Sequence, residues 1–416
     1  MIKKFIVSAC LLLSLVSFAQ EGTASPYSFY GIGDVRFKGT LENRSMAGIA
    51  VEQDSIHINV QNPASYASLK LTTFTLGGTF ATTKLKTANE SANAHRTTLD
   101  YLAVGLPLGK LGVGFGLIPY SSVGYKIETL STNPAENSKR FNGTGGLNKA
   151  FLGLGVKIAP NFSVGADVNY NFGKIETNNL EFITAVPIGT RELNTVDLSG
   201  VNFNFGMMYQ AKVSKKISFF SSLQYGLESN LKAKNNRNIS TVAFNSNFDL
   251  VVVDTLADVR TERNLKMPSN FTAGAGFGES KKWLVGVGYT LREAGSLSNN
   301  YNAIDNVTYE KGSKYSIGGY YIPNATSFSN YAKRITYRGG LRFEKTGLVI
   351  NSESIDDLGV TLGVGLPLNG SFSNINVGVE VGKKGTTQSN LVEENYANVS
   401  VSFSLNDKWF VKRKFN

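Results

Sequence analysis

The chain has 416 residues and a formal net charge of +11, and it contains 43 glycines but only two histidines and one cysteine. So few histidines and cysteines exclude His/Cys metal sites and Cys–His nucleophiles, and the chain has no Gly-x-Ser-x-Gly elbow. Charged residues make up 18% of the chain and aromatic residues 11%, a balance that, with the many glycines, favours β structure.

The N-terminus has the pattern of a secretory signal. Lys3 and Lys4 form a basic start, and an apolar run over 5–16 leads to small residues, which predicts a signal peptide at 1–19. The alternative is a lipoprotein signal ending at Cys10, before which the apolar run is short. Cleavage of the longer signal removes that cysteine. The exported chain lacks an Arg/Lys stripe, so nucleic acid binding is not expected.

Residues 20–70 show no long alternation of apolar and polar positions. The segment is too long for a tail and too uncharged for a disordered arm. In order, it contains Gly31-Ile32-Gly33, Arg44-Ser45-Met46-Ala47-Gly48, Asp54 and Asn62-Pro63-Ala64. We expect Asn62 to cap a turn fixed by Pro63 and to hold this segment to the first strand that follows.

No segment after the signal suits a membrane-spanning helix. The best candidate, residues 103–120, carries five glycines and two prolines. At about 1 kcal/mol per Gly and about 3 kcal/mol per Pro relative to Ala, a helix there would cost on the order of 10 kcal/mol. A closed barrel of strands remains as the way to cross a membrane.

Apolar residues alternate with polar residues or glycine along most of the remaining chain. The alternation and its turn signals predict fourteen strands, near 71–86, 97–109, 111–127, 146–159, 162–176, 196–213, 217–229, 265–278, 282–293, 313–322, 334–344, 358–368, 374–383 and 397–405. A soluble β-sandwich would show the same alternation, and the pattern alone leaves that alternative open.

The connections between these strands favour the barrel, because short and long ones alternate. The long ones fall at 128–145, 177–195, 230–264, 294–312 and 345–357. An even strand count with short turns at one rim and long loops at the other is the plan of an outer-membrane barrel. The sequence therefore predicts an all-β fold, a 14-stranded antiparallel transmembrane β-barrel over 71–405, with an N-terminal hatch at 20–70 and a periplasmic tail at 406–416.

The third predicted strand has glycine at every second position, at Gly112, Gly114 and Gly116. The spacing is not that of a GxGxxG phosphate loop, and no helix follows it. On a barrel strand the three glycines face the lumen, while the apolar residues between them face lipid. We expect the hatch or a ligand to pack against this bare face. Pro119 is a candidate for an interruption of the same strand.

The ordered motifs of residues 20–70, together with the fourteen strands, resemble the FadL-type outer-membrane transporters of long-chain fatty acids and other hydrophobic compounds. The C-terminal part, with GVTLGVGLPL at 359–368 and NDKWFVKRKFN at 406–416, resembles uncharacterised barrels of the Bacteroidetes. The resemblance implies a hatch inside the barrel and gating residues Arg44, Gly48, Asn62, Pro63 and Ala64. It also implies passive uptake, with an exit through a kinked third strand.

Charged residues at inward positions are the other candidates for a site. Arg338 and Arg342 alternate with apolar residues and therefore face the lumen, where either guanidinium could bind a ligand carboxylate. The alternative is that they pair with inward acids such as Glu344 and Glu380. The paired acids at 356–357 and 393–394 are expected in solvated outer loops.

Together with the resemblance, these observations predict a non-enzymatic channel of the Gram-negative outer membrane, without metal or cofactor, for the passive uptake of hydrophobic small molecules such as long-chain fatty acids. Its expected partners are outer-membrane lipids and a hydrophobic small molecule. A rival hypothesis is a non-transporting barrel that acts as a subunit or scaffold of an outer-membrane secretion or protein-assembly complex, with other outer-membrane proteins as partners. A continuous apolar groove with an exit would favour transport, whereas a filled lumen would favour the scaffold.

Overall fold

The structure is a computed structural model that describes residues 22–409 except 134, 184–185, 246–248, 294–305 and 328. The predicted signal peptide, Cys10 and most of the predicted C-terminal tail lie outside the described residues.

The described chain is dominated by antiparallel strands. They are β1 (Asp34–Val35), β2 (Thr72–Lys86), β3 (Ser91–Leu108), β4 (Leu111–Thr129), β5 (Asn137–Ala159), β6 (Phe162–Ile183), β7 (Ile188–Lys212), β8 (Ser218–Gly226), β9 (Ser229–Phe244), β10 (Leu250–Met267), β11 (Asn270–Glu279), β12 (Trp283–Arg292), β13 (Val307–Tyr309), β14 (Gly312–Tyr321), β15 (Thr336–Ile350), β16 (Glu353–Pro367), β17 (Asn374–Lys384) and β18 (Glu393–Asp407).

From β2 onward these strands form a closed barrel, because β18 pairs with β2 along its full length. Three pairs of segments, β8 with β9, β10 with β11, and β13 with β14, each continue one barrel strand after a short break. The barrel therefore has the predicted 14 antiparallel strands, and β4 is its third.

The strands are longer than predicted, and the predicted long loops that the structure describes are mostly strand. Most of the predicted loop 294–312 lies outside the described residues. Strands β6 and β7 together cover almost all of 177–195, β9 and β10 fill most of 230–264, and β15 and β16 cover nearly all of 345–357. The prediction stopped too early because it followed apolar outward positions. Above the apolar band the same strands continue with polar residues on both faces.

The placement of the paired acids in outer loops was wrong for the same reason. Asp356 and Asp357 lie in β16, and Glu393 and Glu394 lie in β18. Glu394 is buried, and Asp357 pairs with Arg342 at 2.9 Å inside the barrel.

The outward positions of the strands form an exposed apolar band around the barrel. On β7, for example, the exposed residues Val201, Phe203, Phe205 and Met207 point outward. The residues between them, which are asparagine, glycine and methionine, point inward. The helices are short and form no part of the barrel wall. They are α1 (Leu41–Arg44) and 3-10 helices at Pro26–Phe29, Pro63–Ser68, Tyr331–Arg334 and Gln388–Asn390. In the described part of the chain, no helix has the length and apolar character to cross a membrane.

Candidate functional site

Residues 22–70, which we call the hatch, lie inside the barrel. The 3-10 helix Pro63–Ser68 packs against β4, β5, β6 and β7, and its Ala64 and Tyr66 are fully buried. Pro63 opens the helix and supplies its fixed φ, while the Asn62 side-chain oxygen accepts a hydrogen bond from the Ala64 amide at 3.0 Å. This cap is the one expected from the sequence.

A row of glycines on adjacent strands makes room for this helix. The register places four glycines side by side: Gly112 (β4), Gly155 (β5), Gly165 (β6) and Gly206 (β7). A Cβ atom at Gly112 would collide with the Tyr66 carbonyl oxygen, and one at Gly155 would lie 2.6 Å from the Pro63 carbonyl oxygen. The hatch backbone therefore approaches the wall more closely than any side chain would allow.

The other two glycines of the third strand have different neighbours. A Cβ atom at Gly114 would lie 2.6 Å from the ring of Tyr66, so this glycine also receives the hatch. At Gly116 the nearest atoms belong to the backbone of β3 and to the ring of Phe151, at 3.0 Å. Gly116 thus serves packing within the wall.

A second glycine row faces the first across the lumen. It consists of Gly276 (β11), Gly286 (β12), Gly318 (β14) and Gly340 (β15), which are paired in register. Cβ atoms at these positions would meet Val51 at 3.1 Å, Ile49 at 3.0 Å, the Met46 carbonyl and the Ala47 amide at 2.8 Å, respectively. Gly48, at φ +93°, supplies the left-handed turn between the hatch residues that contact this row.

Polar side chains tie the hatch to the barrel at two places. The Asn62 amide donates to the carbonyl oxygens of Met207 at 3.2 Å and Leu223 at 3.0 Å, so it ties the hatch to β7 and β8 rather than to the first barrel strand. Arg44 donates to Asp100 at 3.0 Å and Thr79 at 2.8 Å, on β3 and β2.

Arg338 and Arg342 both face the lumen, and each has partners within the protein. Arg338 donates to Asn376 at 3.1 Å. Arg342 lies 2.9 Å from Asp357 and 3.0 Å from Glu380, and Glu344 is 3.7 Å away. The contacts of Arg342 are those expected if the inward arginines pair with acids of the barrel. Binding of a ligand carboxylate at either arginine stays a prediction.

The wall has a gap beside the third barrel strand. Strands β3 and β4 are paired only from the pair Leu108/Leu111 at the short turn to the pair Leu102/Leu117. After Leu117, β4 pairs instead with β1 of the hatch, where Val35 lies opposite Ser121. The register of β4 against β5 shifts after Pro119, where the sequence indicated an interruption. A recess of 360 Å³ opens here. The hatch thus replaces β3 as the neighbour of β4.

Between the hatch and the opposite wall lies a cavity of 380 Å³. Its lining includes nine Lys or Arg residues and seven Asp or Glu residues. Several of these form ion pairs, such as Arg292 with Glu344 at 2.9 Å and Lys384 with Asp34 at 2.5 Å. The cavity is therefore charged, and it is not the continuous apolar groove that a hydrophobic ligand would need.

Three titratable hatch groups lie near the rim of the short turns. Burial raises the pKa of Glu52 to about 7, although the Tyr320 hydroxyl donates to it at 2.6 Å. Burial acts to raise the pKa of Asp54 as well, but His57, 2.7 Å away, and nearby backbone amides outweigh it and lower that pKa to about 2. The pKa of His57 is raised, because Asp54 outweighs the opposing effect of burial.

A family model named BamG matches residues 1–416, the full length of the sequence. The chain belongs to the BamG family. No curated protein matches it. The match takes in the hatch and the barrel together, so both are part of what BamG proteins share.

Solved structures of FadL-type channels share the fold of this BamG-family barrel. The Pseudomonas putida toluene transporter TodX is 16% identical, with 93% of this chain and 98% of that chain covered and a TM-score of 0.54. The monoaromatic hydrocarbon channel CymD is 14% identical (91% and 99% covered, TM-score 0.54), and a Pseudomonas aeruginosa FadL homologue is 11% identical (89% and 98%, TM-score 0.56). The likeness shows that this chain has the barrel fold of these channels.

The sequence did not indicate most of the residues that seat the hatch. Gly155, Gly165 and Gly206 each lie on an alternating strand and look like ordinary glycines until the register aligns them with Gly112. The signal that could have found them is glycine at inward positions of four consecutive strands at about equal distance from the short turns.

Proposed function

We propose that this BamG-family barrel is a closed, non-transporting subunit of an outer-membrane protein-assembly complex. The observation that carries the proposal is the seating of the hatch, whose backbone lies against glycine rows on two facing walls. A plug seated in this way contacts the wall backbone itself, so its release would break many contacts at once. BamG membership is compatible with this role.

The charged cavity supports the same proposal. A hydrophobic ligand that entered it would have to lie against paired charges such as Arg342 and Glu380, which would lose solvation without gaining a partner. Such a lumen suits a stable scaffold better than an apolar passage. The exposed, polar ends of β6, β7, β9 and β10 then supply surface for other proteins beyond the membrane.

A second candidate function is passive uptake of a hydrophobic small molecule, for which a long-chain fatty acid is the specific proposal. The gap beside β4 favours it, because a displaced β1 would leave a side exit between β3 and β4. In this case the hatch moves during each passage, whereas a scaffold keeps it in place.

A disulfide between β1 and β4 separates the two functions. Val35 and Ser121 are directly paired, so the double variant Val35→Cys/Ser121→Cys should lock the hatch over the gap. The measurements are uptake of a labelled long-chain fatty acid by cells and stoichiometric co-purification of outer-membrane proteins, with each single variant as control. We expect the lock to leave co-purification intact. Uptake that is lost in the locked protein and restored by a reductant would instead establish transport and reject the scaffold proposal.

A further inference from the structure

Five cationic side chains around the internal cavity lack a carboxylate partner. One of them, Arg96 of β3, donates a hydrogen bond to the Thr23 hydroxyl at 3.1 Å, and among the described residues the other four make no side-chain hydrogen bond. These four are Arg36 and Lys38 of the hatch, Lys149 of β5 and Lys314 of β14. Among the described residues, none of the five has an Asp or Glu oxygen within 4 Å, in contrast to Arg44, Arg292, Arg342 and Lys384. The unpaired charges thus face one space, from the hatch and from two walls of the barrel.

Aromatic rings lie beside two of these cations, and a third cation is buried. The Lys38 ammonium lies 3.7 Å from the centre of the Tyr120 ring, and the Lys314 ammonium lies 5.7 Å from that of Phe37. Lys149 is only 8% exposed. Buried charges are costly unless they are paired, so this arrangement is incomplete without a negative charge.

The titration of Lys38 agrees with this view. Burial, with the like charges of Arg292 and Lys314 nearby, lowers the pKa of the Lys38 ammonium well below its usual range, and Glu344 offsets only part of the effect. A bound anion would favour the charged ammonium.

We infer that the cavity binds an anion, a carboxylate or another small oxyanion, held by Lys38 and Lys149 with Lys314 on the opposite side. A volume of 380 Å³ lies within the range of small-molecule sites. Four of the lining acids, Asp34, Glu344, Asp357 and Glu380, are paired with Arg292, Arg342 or Lys384. No acid of the described lining lies within 4 Å of Lys38, Lys149 or Lys314, so the lysines are available for the anion. Arg342 lines the same cavity but is paired with Asp357 and Glu380, so the lysines and not Arg342 hold the anion. The site is compatible with a hatch that never moves. The anion is the head group of an amphiphile or a free ion.

The test is titration of the full-length protein, in dodecyl maltoside, with carboxyl-¹³C octanoate followed by NMR. Methyl octanoate is the neutral probe, and inorganic phosphate is the competitor. We expect octanoate to bind and methyl octanoate to bind at least tenfold more weakly, because a charge-assisted hydrogen bond is lost. Displacement by phosphate would identify a free-oxyanion site, and resistance to phosphate a site for an amphiphile head group. Either result supports the anion site.

Four variants complete the test, and two of them are controls. Lys38→Met and Lys149→Met should each weaken octanoate binding about tenfold or more, Lys38→Arg should retain it, and Lys110→Met, at an exposed turn, should not change it. Heat-dependent migration on SDS gels checks that each barrel has folded. Equal binding of octanoate to the wild type and to both methionine variants, or equal binding of octanoate and its methyl ester, would overturn the site. So would the absence of any octanoate or phosphate binding.

Discussion

Gly112 shows how one missing side chain can position a whole segment. Its inward face is occupied by the Tyr66 carbonyl group, so even a methyl group has no space there. The position has ordinary strand geometry, and the glycine is needed for close approach rather than for an unusual φ angle.

The first prediction follows from this contact. Gly112→Ala should weaken the docking of the hatch by about 1–3 kcal/mol, because the added methyl overlaps the hatch backbone. Trypsin should then cut at Arg36, Lys38 and Arg44 of the hatch faster than in the wild type, as followed by mass spectrometry.

Gly339→Ala is the matched control, since a Cβ atom there makes only ordinary contacts, with Leu362 at 3.5 Å and the Thr361 carbonyl at 3.8 Å. Equal cleavage rates in the wild type and in both variants would show that hatch docking does not depend on the missing side chain at Gly112. The longer substitution Gly114→Leu should also disturb hatch seating, through the ring of Tyr66, while the barrel still folds.

The second prediction concerns pH and the hatch acids. Because the pKa of His57 is raised in the folded protein, the protonated imidazole stabilises the folded hatch. This stabilisation is fully present below about pH 6.5 and is lost as pH rises through the raised pKa. The pKa of Glu52 is raised from 4.5 to about 7, so the folded hatch favours its protonated form, and stability falls as pH rises across that interval. Asp54, with a pKa of about 2, stays ionised throughout this range.

Both groups therefore predict a looser hatch at pH 8.5 than at pH 5.5. A spin label at Ser55→Cys, in the Asp54–His57 loop, should show a larger mobile fraction at the higher pH. Glu52→Gln should make the change smaller, because only His57 then titrates. A mobile fraction that decreases with pH would contradict the assignment of these two groups.

At the scale of elements, the long β9–β10 hairpin lies above a barrel that closes without it. Below the hairpin, β8 pairs with β7 and β11, and β11 pairs with β12. The lower part of the hairpin carries the buried residues Leu231 and Leu265, whereas 235–245 and 249–261 extend further from the membrane.

The third prediction is that 235–261 can be replaced by Asn-Gly without loss of the barrel. Lys234 and Glu262 are paired, so a two-residue turn can join them. We expect the same heat-dependent gel migration and a melting temperature within about 5 °C of the wild type. A barrel that fails to form would show that the projecting strands are needed for closure. If the barrel forms but co-purifying proteins are lost, this hairpin carries part of the scaffold surface.

At the scale of the whole molecule, the barrel and the hatch have separate physical roles. Hydrogen bonds between neighbouring strands close the barrel, and β2 pairs with β18 without help from the hatch. The hatch fills much of the lumen and covers the gap beside β4.

The fourth prediction is therefore that the hatch sets the conductance. Wild-type protein in a planar bilayer should be nearly silent, and a variant without residues 22–69 should form open pores. The hairpin-shortened variant, which keeps the hatch, is the control and should remain silent. Large wild-type currents would contradict a closed plug, and with it the proposed function.

The sequence by itself determined the strand count, the closed barrel and the presence of a separate segment before it, because period-two alternation is a local property of each strand. It also determined that Gly112 and Gly114 face the lumen. Only the tertiary structure decided which residues of neighbouring strands lie side by side in the barrel wall. The register aligns Gly112 with Gly155, Gly165 and Gly206, and it gives Arg342 its acids. The unpaired lysines of the cavity likewise come from separate parts of the chain. Such groupings depend on pairings between distant segments, which no local pattern of residues contains.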